Sequence, residues 1–347
     1  MRSRLYLFLS FILLSYHYPI SRDLVVDPKA FFLEEGLIEV EIVSDFKYLV
    51  KNKLEQDYKQ RFQSGIITVA FPDGNIVKEQ VEVRTRGEFR RERCYMPPIM
   101  INFKTSNNSS LSKLGKLKLV WPCRFDVYHE QLILKEYLVY KIYNLLTEKS
   151  FRVRLVKIKY QDTNSKKYDG PVFGFFIEDV DAMAKRNNCK EIQDQKYLTE
   201  QTDRAQLTIL SIFQFMIANT DWAIPLYRNV KLIGEVAHPE IPPYAVPYDF
   251  DYCGLVNANY AEPQPGLALT SIQQRLYRGF PREMSELNTA LDIFKKSKTS
   301  IDSLIDGMEY LSIYNKRETK KYINEFFEII KSEREIKSIF ITNARAN

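Results

Sequence analysis

The stretch that decides the fold is residues 217–255, IANTDWAIPLYRNVKLIGEVAHPEIPPYAVPYDFDYCGL. Residues 205–219 precede and overlap it, and they are apolar on nearly all sides, which predicts a buried helix. Two short apolar runs follow, at 230–233 and 244–247, with a Pro-rich segment between them. This pattern predicts a β-hairpin whose two ends lie close together.

Carboxylate and amide side chains flank the predicted hairpin. Asp221 lies after the buried helix, Asn229 enters the hairpin, and Asp249 and Asp251 leave it. Asp249 and Asp251 alternate about Phe250, so both point the same way in an extended chain. Adjacent carboxylates repel each other unless a cation lies between them, and divalent cations prefer oxygen ligands. A metal site at Asn229, Asp249 and Asp251 is one interpretation, and a solvated acidic turn is the other.

The order of these residues is that of protein-kinase-like sites, in which one Asp orients the acceptor hydroxyl while an Asn and a second Asp hold magnesium. Asp221-Trp222, then Asn229, then Pro-Tyr-Asp-Phe-Asp at 247–251 followed by Gly254, resembles the CotH-type spore-coat kinases. It also resembles uncharacterised bacterial proteins that share the PYDFD motif. The resemblance implies a catalytic role for Asp221. The spacing from Asp221 to Asn229 is longer than in the ordinary kinase loop.

A kinase-like site also needs a cation for the nucleotide phosphates, and the sequence has no Gly-rich phosphate loop. Lys118 is our candidate, with Glu136 on the following helix as its ion-pair partner. Lys116 has the same strand parity and is nearly as good a candidate. By resemblance to the family, Arg86 with the glycine after it would contact phosphate, and Glu178 would be a hinge residue near the adenine.

The pattern of apolar residues predicts an α+β chain with a β-rich first half and a mainly helical second half. Strands are expected at 37–46, 66–71, 80–86, 99–103, 116–120, 153–160 and 170–177. Helices are expected at 128–148, 203–218, 283–297, 299–312 and 316–333. With the resemblance, this order implies a two-lobed protein-kinase-like fold. The β-rich N-lobe with one main helix would span 21–180, and the helical C-lobe 181–347.

The N-terminal residues 1–20 combine two arginines with a short apolar run, which is typical of a secretory signal or an N-terminal anchor. We therefore expect an exported protein that contacts the membrane only through this segment. The four cysteines, Cys94, Cys123, Cys189 and Cys253, form no CxxC pair, so a zinc site has little support. In an exported protein one or two disulfides can form, and four cysteines allow three pairings, of which we favour Cys94 with Cys123 because both follow strand-like segments in the same half. The alternative is four buried free thiols.

The net charge of +6 in 347 residues is modest and spread along the chain, so nucleic acid binding is not indicated. The resemblance implies a monomeric kinase that uses ATP with Mg²⁺ or Mn²⁺ and transfers the γ-phosphoryl group to a protein or small-molecule hydroxyl. The alternatives are an exported pseudokinase that binds without turnover and a metal-dependent hydrolase built on the same carboxylates.

Overall fold

The computed structural model describes residues 26–104, 109–166, 169–193 and 195–345. The predicted signal or anchor at 1–20 lies outside the described residues. Within those ranges, none of the helices combines the length and the hydropathy that a bilayer span requires.

Every predicted strand of the first half is present, and most carry the alternation of buried and exposed side chains that a sheet with one buried face needs. The last strand departs from it, because Phe175, Phe176 and Ile177 are all buried. The strands are β1 (Ile38–Ser44), β2 (Gln63–Ala70), β3 (Ile76–Thr85), β4 (Ile99–Asn102), β5 (Lys116–Val120), β6 (Val153–Asp162) and β7 (Asp169–Ile177). Side chains such as Ile42, Val83, Leu117 and Leu119 fill one common apolar core. The intervening residues of each strand point away from that core.

The prediction of a two-lobed protein-kinase-like fold is wrong. The seven strands close into a barrel in the order β1-β2-β3-β4-β5-β7-β6, and a helical region follows. Closure comes from parallel pairing of β1 with β6, which runs from Ile38 opposite Val156 to Ser44 opposite Asp162. This pairing joins segments more than a hundred residues apart. Alternation along a strand is the same in an open sheet and in a barrel, so the sequence pattern does not distinguish them.

The longer helices form a second core beside the barrel, whereas the first two helices add Phe31 and Phe46 to the barrel core. The nine α-helices of the described residues are α1 (Pro28–Leu33), α2 (Phe46–Lys51), α3 (Phe89–Arg93), α4 (Val127–Leu146), α5 (Val180–Arg186), α6 (Arg204–Met216), α7 (Met284–Gly307), α8 (Ile313–Ile329) and α9 (Glu333–Lys337). The predicted main helix of the first half, α4, shares its core with α6, α7 and α8 through residues such as Leu138, Phe213 and Phe294. It therefore packs with the C-terminal helices as well as covering the barrel.

The C-terminal helices differ from the prediction in one break and in their ends, since α7 ends at Gly307 and α8 spans Ile313–Ile329. The expected helices at 283–297 and 299–312 are one continuous helix, α7, because no Pro or Gly interrupts the chain before Gly307. The predicted buried face of α4 is correct for Leu134, Leu138 and Ile142, but Leu145 is 41% exposed.

The hairpin prediction is confirmed. Strands β8 (Cys189–Ile192), β9 (Val230–Glu235) and β10 (Tyr244–Pro247) form a three-stranded antiparallel sheet in the order β10-β9-β8. Pro247 pairs with Val230, so the chain entering β9 and the chain leaving β10 lie side by side.

The structure also decides between the two cysteine alternatives. Cys94 and Cys123 form a disulfide, with their Cα atoms 4.7 Å apart, while Cys189 and Cys253 are free and buried. The bond ties the end of α3 to the segment that follows β5. It thereby fixes the short helix that carries Arg90 and Arg91.

Replacing both Cys94 and Cys123 with Ser is expected to lower the free energy of unfolding by about 3 to 4 kcal/mol, because the bond closes a loop of 29 residues in the unfolded chain. Urea titration measures the loss. Dithiothreitol should destabilise the wild type to a similar extent and leave the double variant unchanged. A wild type that is insensitive to reductant would contradict the prediction.

Candidate functional site

A cavity of about 690 Å³ lies between the outside of the barrel and the loops that follow α6 and β10. Arg84, Met100 and Lys118 line it from the barrel. They form a row across three adjacent strands, because Arg84 pairs with Met100 and Met100 pairs with Lys118. The strand alternation that buries Leu117 and Leu119 in the barrel directs Lys118 outwards into this cavity.

The opposite wall carries the predicted acidic residues. Asp221, Asn229, Asp249 and Asp251 all line the cavity. The structure therefore brings together every residue predicted for catalysis or metal binding, and it adds Arg86 and Lys118 from the barrel.

Backbone geometry fixes the two key positions of the acidic wall. Asn229 and Asp249 both have positive φ, 53° and 64°, a region in which Asn and Asp are the most readily accommodated non-glycine residues. The Tyr248 amide donates to the Asn229 carbonyl at 3.0 Å, and the Asp249 amide donates to the Tyr140 hydroxyl at 2.8 Å. The first bond holds the ends of the hairpin next to each other, and the second ties Asp249 to α4.

Asp221 is held by the residues just before β9. Its carboxylate forms an ion pair with Arg228, whose Nε lies 2.7 Å away. It also accepts a 3.0 Å hydrogen bond from the side-chain amide of Asn229. Asn229 Nδ2 also donates to the Asp221 carbonyl. Burial raises the pKa of Asp221, although Arg228 partly opposes this effect. A buried carboxylate with a raised pKa is a better proton acceptor than an exposed one.

Asp251 is the most enclosed carboxylate of the wall, with 7% of its surface exposed. It accepts a 2.9 Å hydrogen bond from the Tyr260 hydroxyl. Burial, and then the negative charge of Asp249, raise the pKa of Asp251 to about 6. Asp249 and Asp251 both line the cavity, but the positive φ of Asp249 means that the chain here is not the extended one from which their common direction was predicted.

Two cations face these carboxylates from the barrel. Burial, and then Arg86, lower the pKa of Lys118 to about 8, and its ammonium group lies 4.6 Å from the centre of the Tyr248 ring. Burial also lowers the pKa of Arg86, whose Nε has no hydrogen-bond partner within the described chain. Lys116, the alternative to Lys118, is exposed and does not line the cavity.

The predicted ion pair between Lys118 and Glu136 does not form. Glu136 is 1% exposed on α4, and its nearest basic group is Arg90, 3.8 Å away. Burial, and then the charge of Asp251, raise the pKa of Glu136 well above its usual value. Glu136 therefore lies behind the acidic wall, and it interacts with Arg90 rather than with the strand lysine.

Glu178 does not reach the cavity either. Its carboxylate accepts hydrogen bonds from Arg186 Nε at 2.9 Å and from the Arg152 amide at 3.0 Å. These contacts tie the end of β7 to α5 and engage the side chain in the packing of the two elements.

Sequence reasoning missed several residues of the site. Arg228 contacts Asp221, Tyr248 lies under Lys118, and Tyr260 binds Asp251. Arg228 immediately precedes Asn229, so its position in the sequence was an available signal. Tyr260 lies nine residues beyond Asp251, and only the return of the chain over the cavity brings it there.

The described residues contain no group of three or more His, Cys, Asp or Glu side chains placed to hold a metal ion. The oxygen donors present are the carboxylates of Asp249 and Asp251 and the side-chain amide oxygen of Asn229. The Nδ2 atom of Asn229 already donates a hydrogen bond to Asp221. Magnesium bound with a nucleotide takes one or two protein carboxylates and completes its shell with phosphate oxygens and water. The donor set fits that mode of binding.

No protein-family profile matches the chain, and a search of curated proteins finds no significant similarity. The chemistry of the cavity is therefore the ground on which its function is inferred. That cavity has a basic wall on the barrel and an acidic wall on the hairpin loops.

Proposed function

We propose that the chain is a magnesium-dependent phosphotransferase that moves the γ-phosphoryl group of ATP to a hydroxyl of a protein or small molecule. The observation that carries this proposal is the placement of Asp221, Asp249 and Asp251 opposite Arg86 and Lys118 in one cavity. Phosphoryl transfer needs cations for the phosphates, carboxylates for the metal and a base for the acceptor. The proposal rests on this arrangement and requires no kinase-like architecture.

The size and charge of the cavity support a nucleoside triphosphate. About 690 Å³ is within the range of sites for small molecules. Arg86 and Arg84 line it beside Lys118, and arginine binds phosphate oxygens in a bidentate manner. Met100 and Pro98, which also line the barrel side, provide apolar surface for the nucleotide's purine ring.

Each residue would have one task. Asp249, Asp251 and the Asn229 amide oxygen would hold magnesium, which neutralises phosphate charge when bound. Asp221 accepts the proton of the acceptor hydroxyl as that oxygen forms a bond to the γ-phosphorus. The bond between the γ-phosphorus and the bridging oxygen breaks, and ADP leaves with that electron pair. Lys118 and Arg86 stabilise the negative charge that develops on the phosphates.

Binding without turnover is the second candidate, and one observation favours it. The Asp221 carboxylate is already engaged by Arg228 at 2.7 Å and by Asn229 at 3.0 Å. An acceptor must displace Arg228 from the Asp221 carboxylate, or bind beside it, before Asp221 can accept a proton. The Arg228 side chain is 53% exposed, so it has solvent into which it can move.

A thermal-shift titration with ATP and MgCl₂ tests the proposal. A ligand that binds only the folded chain, at a hundredfold excess over its Kd, stabilises it by about 2.7 kcal/mol. We expect a metal-dependent rise in Tm that is lost in Asp249→Asn and kept in the control Asp292→Asn, which changes a carboxylate on α7 that is paired with Lys295 outside the cavity. No shift with any nucleotide would refute both candidates. A shift without ADP release would refute the phosphotransferase and support binding without turnover.

Nucleotide affinity should depend on pH through Lys118. Its pKa is lowered to about 8, so its charge is present below that pH and lost above it. We expect affinity for magnesium–ATP to fall about tenfold between pH 7 and pH 9.5, the scale of one charge-assisted hydrogen bond. Calorimetric titration of the wild type measures this fall.

Matched lysine variants separate Lys118 from other titrating groups. Lys118→Arg should remove the pH dependence, because a guanidinium stays charged over this range. Lys116→Arg, on the same strand but outside the cavity, should retain it. Equal pH profiles for all three proteins would contradict the role of Lys118.

A further inference from the structure

A second cavity, of about 760 Å³, lies at the starts of α4 and α8. The two helices are joined there by Gln131, whose Oε1 accepts hydrogen bonds from the Ser312 amide at 2.7 Å and from Asn315 Nδ2 at 2.9 Å. These bonds fix the wall of the cavity, so it is preformed, as small-molecule sites usually are. The two cavities have no lining residue in common.

The formal charges around this second cavity cancel. Its charged lining residues are Lys135, Lys321, Glu318 and Glu325. Lys135 donates to the Val256 carbonyl at 2.7 Å, and Glu325 is paired with an arginine at 3.1 Å. With two formal charges of each sign among these lining residues, the cavity carries no formal net charge. It suits an uncharged ligand.

Unused hydrogen-bonding groups line the same space. Thr319 is 2% exposed, and its hydroxyl has no partner among the described residues. A buried hydroxyl without a partner costs about 1 to 3 kcal/mol, so a ligand that supplies the missing bond gains affinity. The side-chain amides of Asn257 and Gln273 are exposed and also line the cavity. These groups suit a ligand with several hydroxyls.

Two tyrosines on the rim add flat apolar surface. Tyr128 begins α4 and is 47% exposed, and Tyr314 begins α8 and is 67% exposed. An aromatic ring with an exposed face combines apolar contact with a polar edge. A pyranose ring has the matching chemistry, because one face presents C–H groups and its edge presents hydroxyls.

We infer that this second cavity binds a neutral saccharide of two or three pyranose units. Tyr128 and Tyr314 contact the C–H faces of the sugar, and the Thr319 hydroxyl with the amides of Asn257 and Gln273 binds its hydroxyls. The inference is independent of the proposed phosphotransfer, since no residue of that site takes part.

Saturation-transfer NMR on the full chain tests the inference with maltose, cellobiose, lactose and N,N′-diacetylchitobiose, and with glucuronate as a charged comparator. We expect at least one neutral sugar to show transfer and to bind more tightly than glucuronate. Tyr314→Ala and the isosteric Thr319→Val should each weaken its affinity at least about tenfold. Tyr95→Ala is the control, because Tyr95 is 70% exposed and lines neither cavity.

Two results would overturn the inference. One is the absence of transfer from all four neutral sugars, which would leave the exposed Val127 and Ile313 beside the cavity as a surface for a protein partner. The other is unchanged sugar affinity in both Tyr314→Ala and Thr319→Val. The thermal unfolding midpoint of each variant shows that it is folded.

Discussion

Asp221→Asn is expected to reduce the rate of phosphoryl transfer about 100- to 10,000-fold, which is the range that a positioned general base contributes. The amide keeps the shape of the side chain and its place beside Asn229, but it cannot accept the proton of the acceptor hydroxyl. ADP release from magnesium–ATP, with dephosphorylated casein as a generic hydroxyl acceptor, measures the rate.

The same variant should keep its nucleotide-induced thermal shift, because Asp221 is not among the proposed metal or phosphate ligands. Asp292→Asn, on the outer surface of α7, should match the wild type in both measurements. Wild-type turnover in Asp221→Asn would rule out its role as base. A wild type with no turnover would favour the binding protein that the Arg228 ion pair suggests.

Arg90→Met is expected to lower the free energy of unfolding by about 3 to 5 kcal/mol, the usual cost of removing one partner of a buried ion pair. Arg90 is 8% exposed, lies 3.8 Å from Glu136 and donates to the Trp121 carbonyl. Without it, the carboxylates of Glu136 and Asp251 remain buried with less compensating charge. Urea unfolding at pH 7 measures the loss.

Arg93→Met provides the matched control on the same short helix. Arg93 is exposed and lies 5.6 Å from the centre of the Phe89 ring, so its removal should change stability little. Because the carboxylates behind Arg90 take up protons more readily when their compensation is lost, the destabilisation by Arg90→Met should shrink between pH 7 and pH 5. Equal stabilities of the Arg90→Met and Arg93→Met variants would contradict the importance of the buried pair.

Local sequence was sufficient for the strands of the barrel, the β9–β10 hairpin and the buried helix α6. Each depends on a periodicity or a turn within a short segment. The order of Asp221, Asn229, Asp249 and Asp251 around the hairpin was likewise enough to predict that they share a site. The hairpin register, with Pro247 opposite Val230, is the physical cause.

The same local patterns did not predict which side chains from distant segments of the chain contact each other. Strand parity made Lys116 and Lys118 equivalent, and only the position of the hairpin loops over the barrel selects Lys118. Glu136 was expected to pair with that lysine, but α3, fixed by the disulfide, places Arg90 next to it. Glu178 was expected to face a nucleotide, but Arg186 folds back from α5 and binds it.

The sequence by itself determined the strands of the barrel, the β9–β10 hairpin and the long helices, although not β8 or the short helices, and it determined which acidic residues gather at the end of the hairpin. These features follow from contacts between near neighbours in the chain. The tertiary structure decided that β1 pairs with β6 to close a barrel, and that a basic wall on its outer surface faces the acidic loops. Those outcomes depend on packing between distant segments, which no local periodicity encodes.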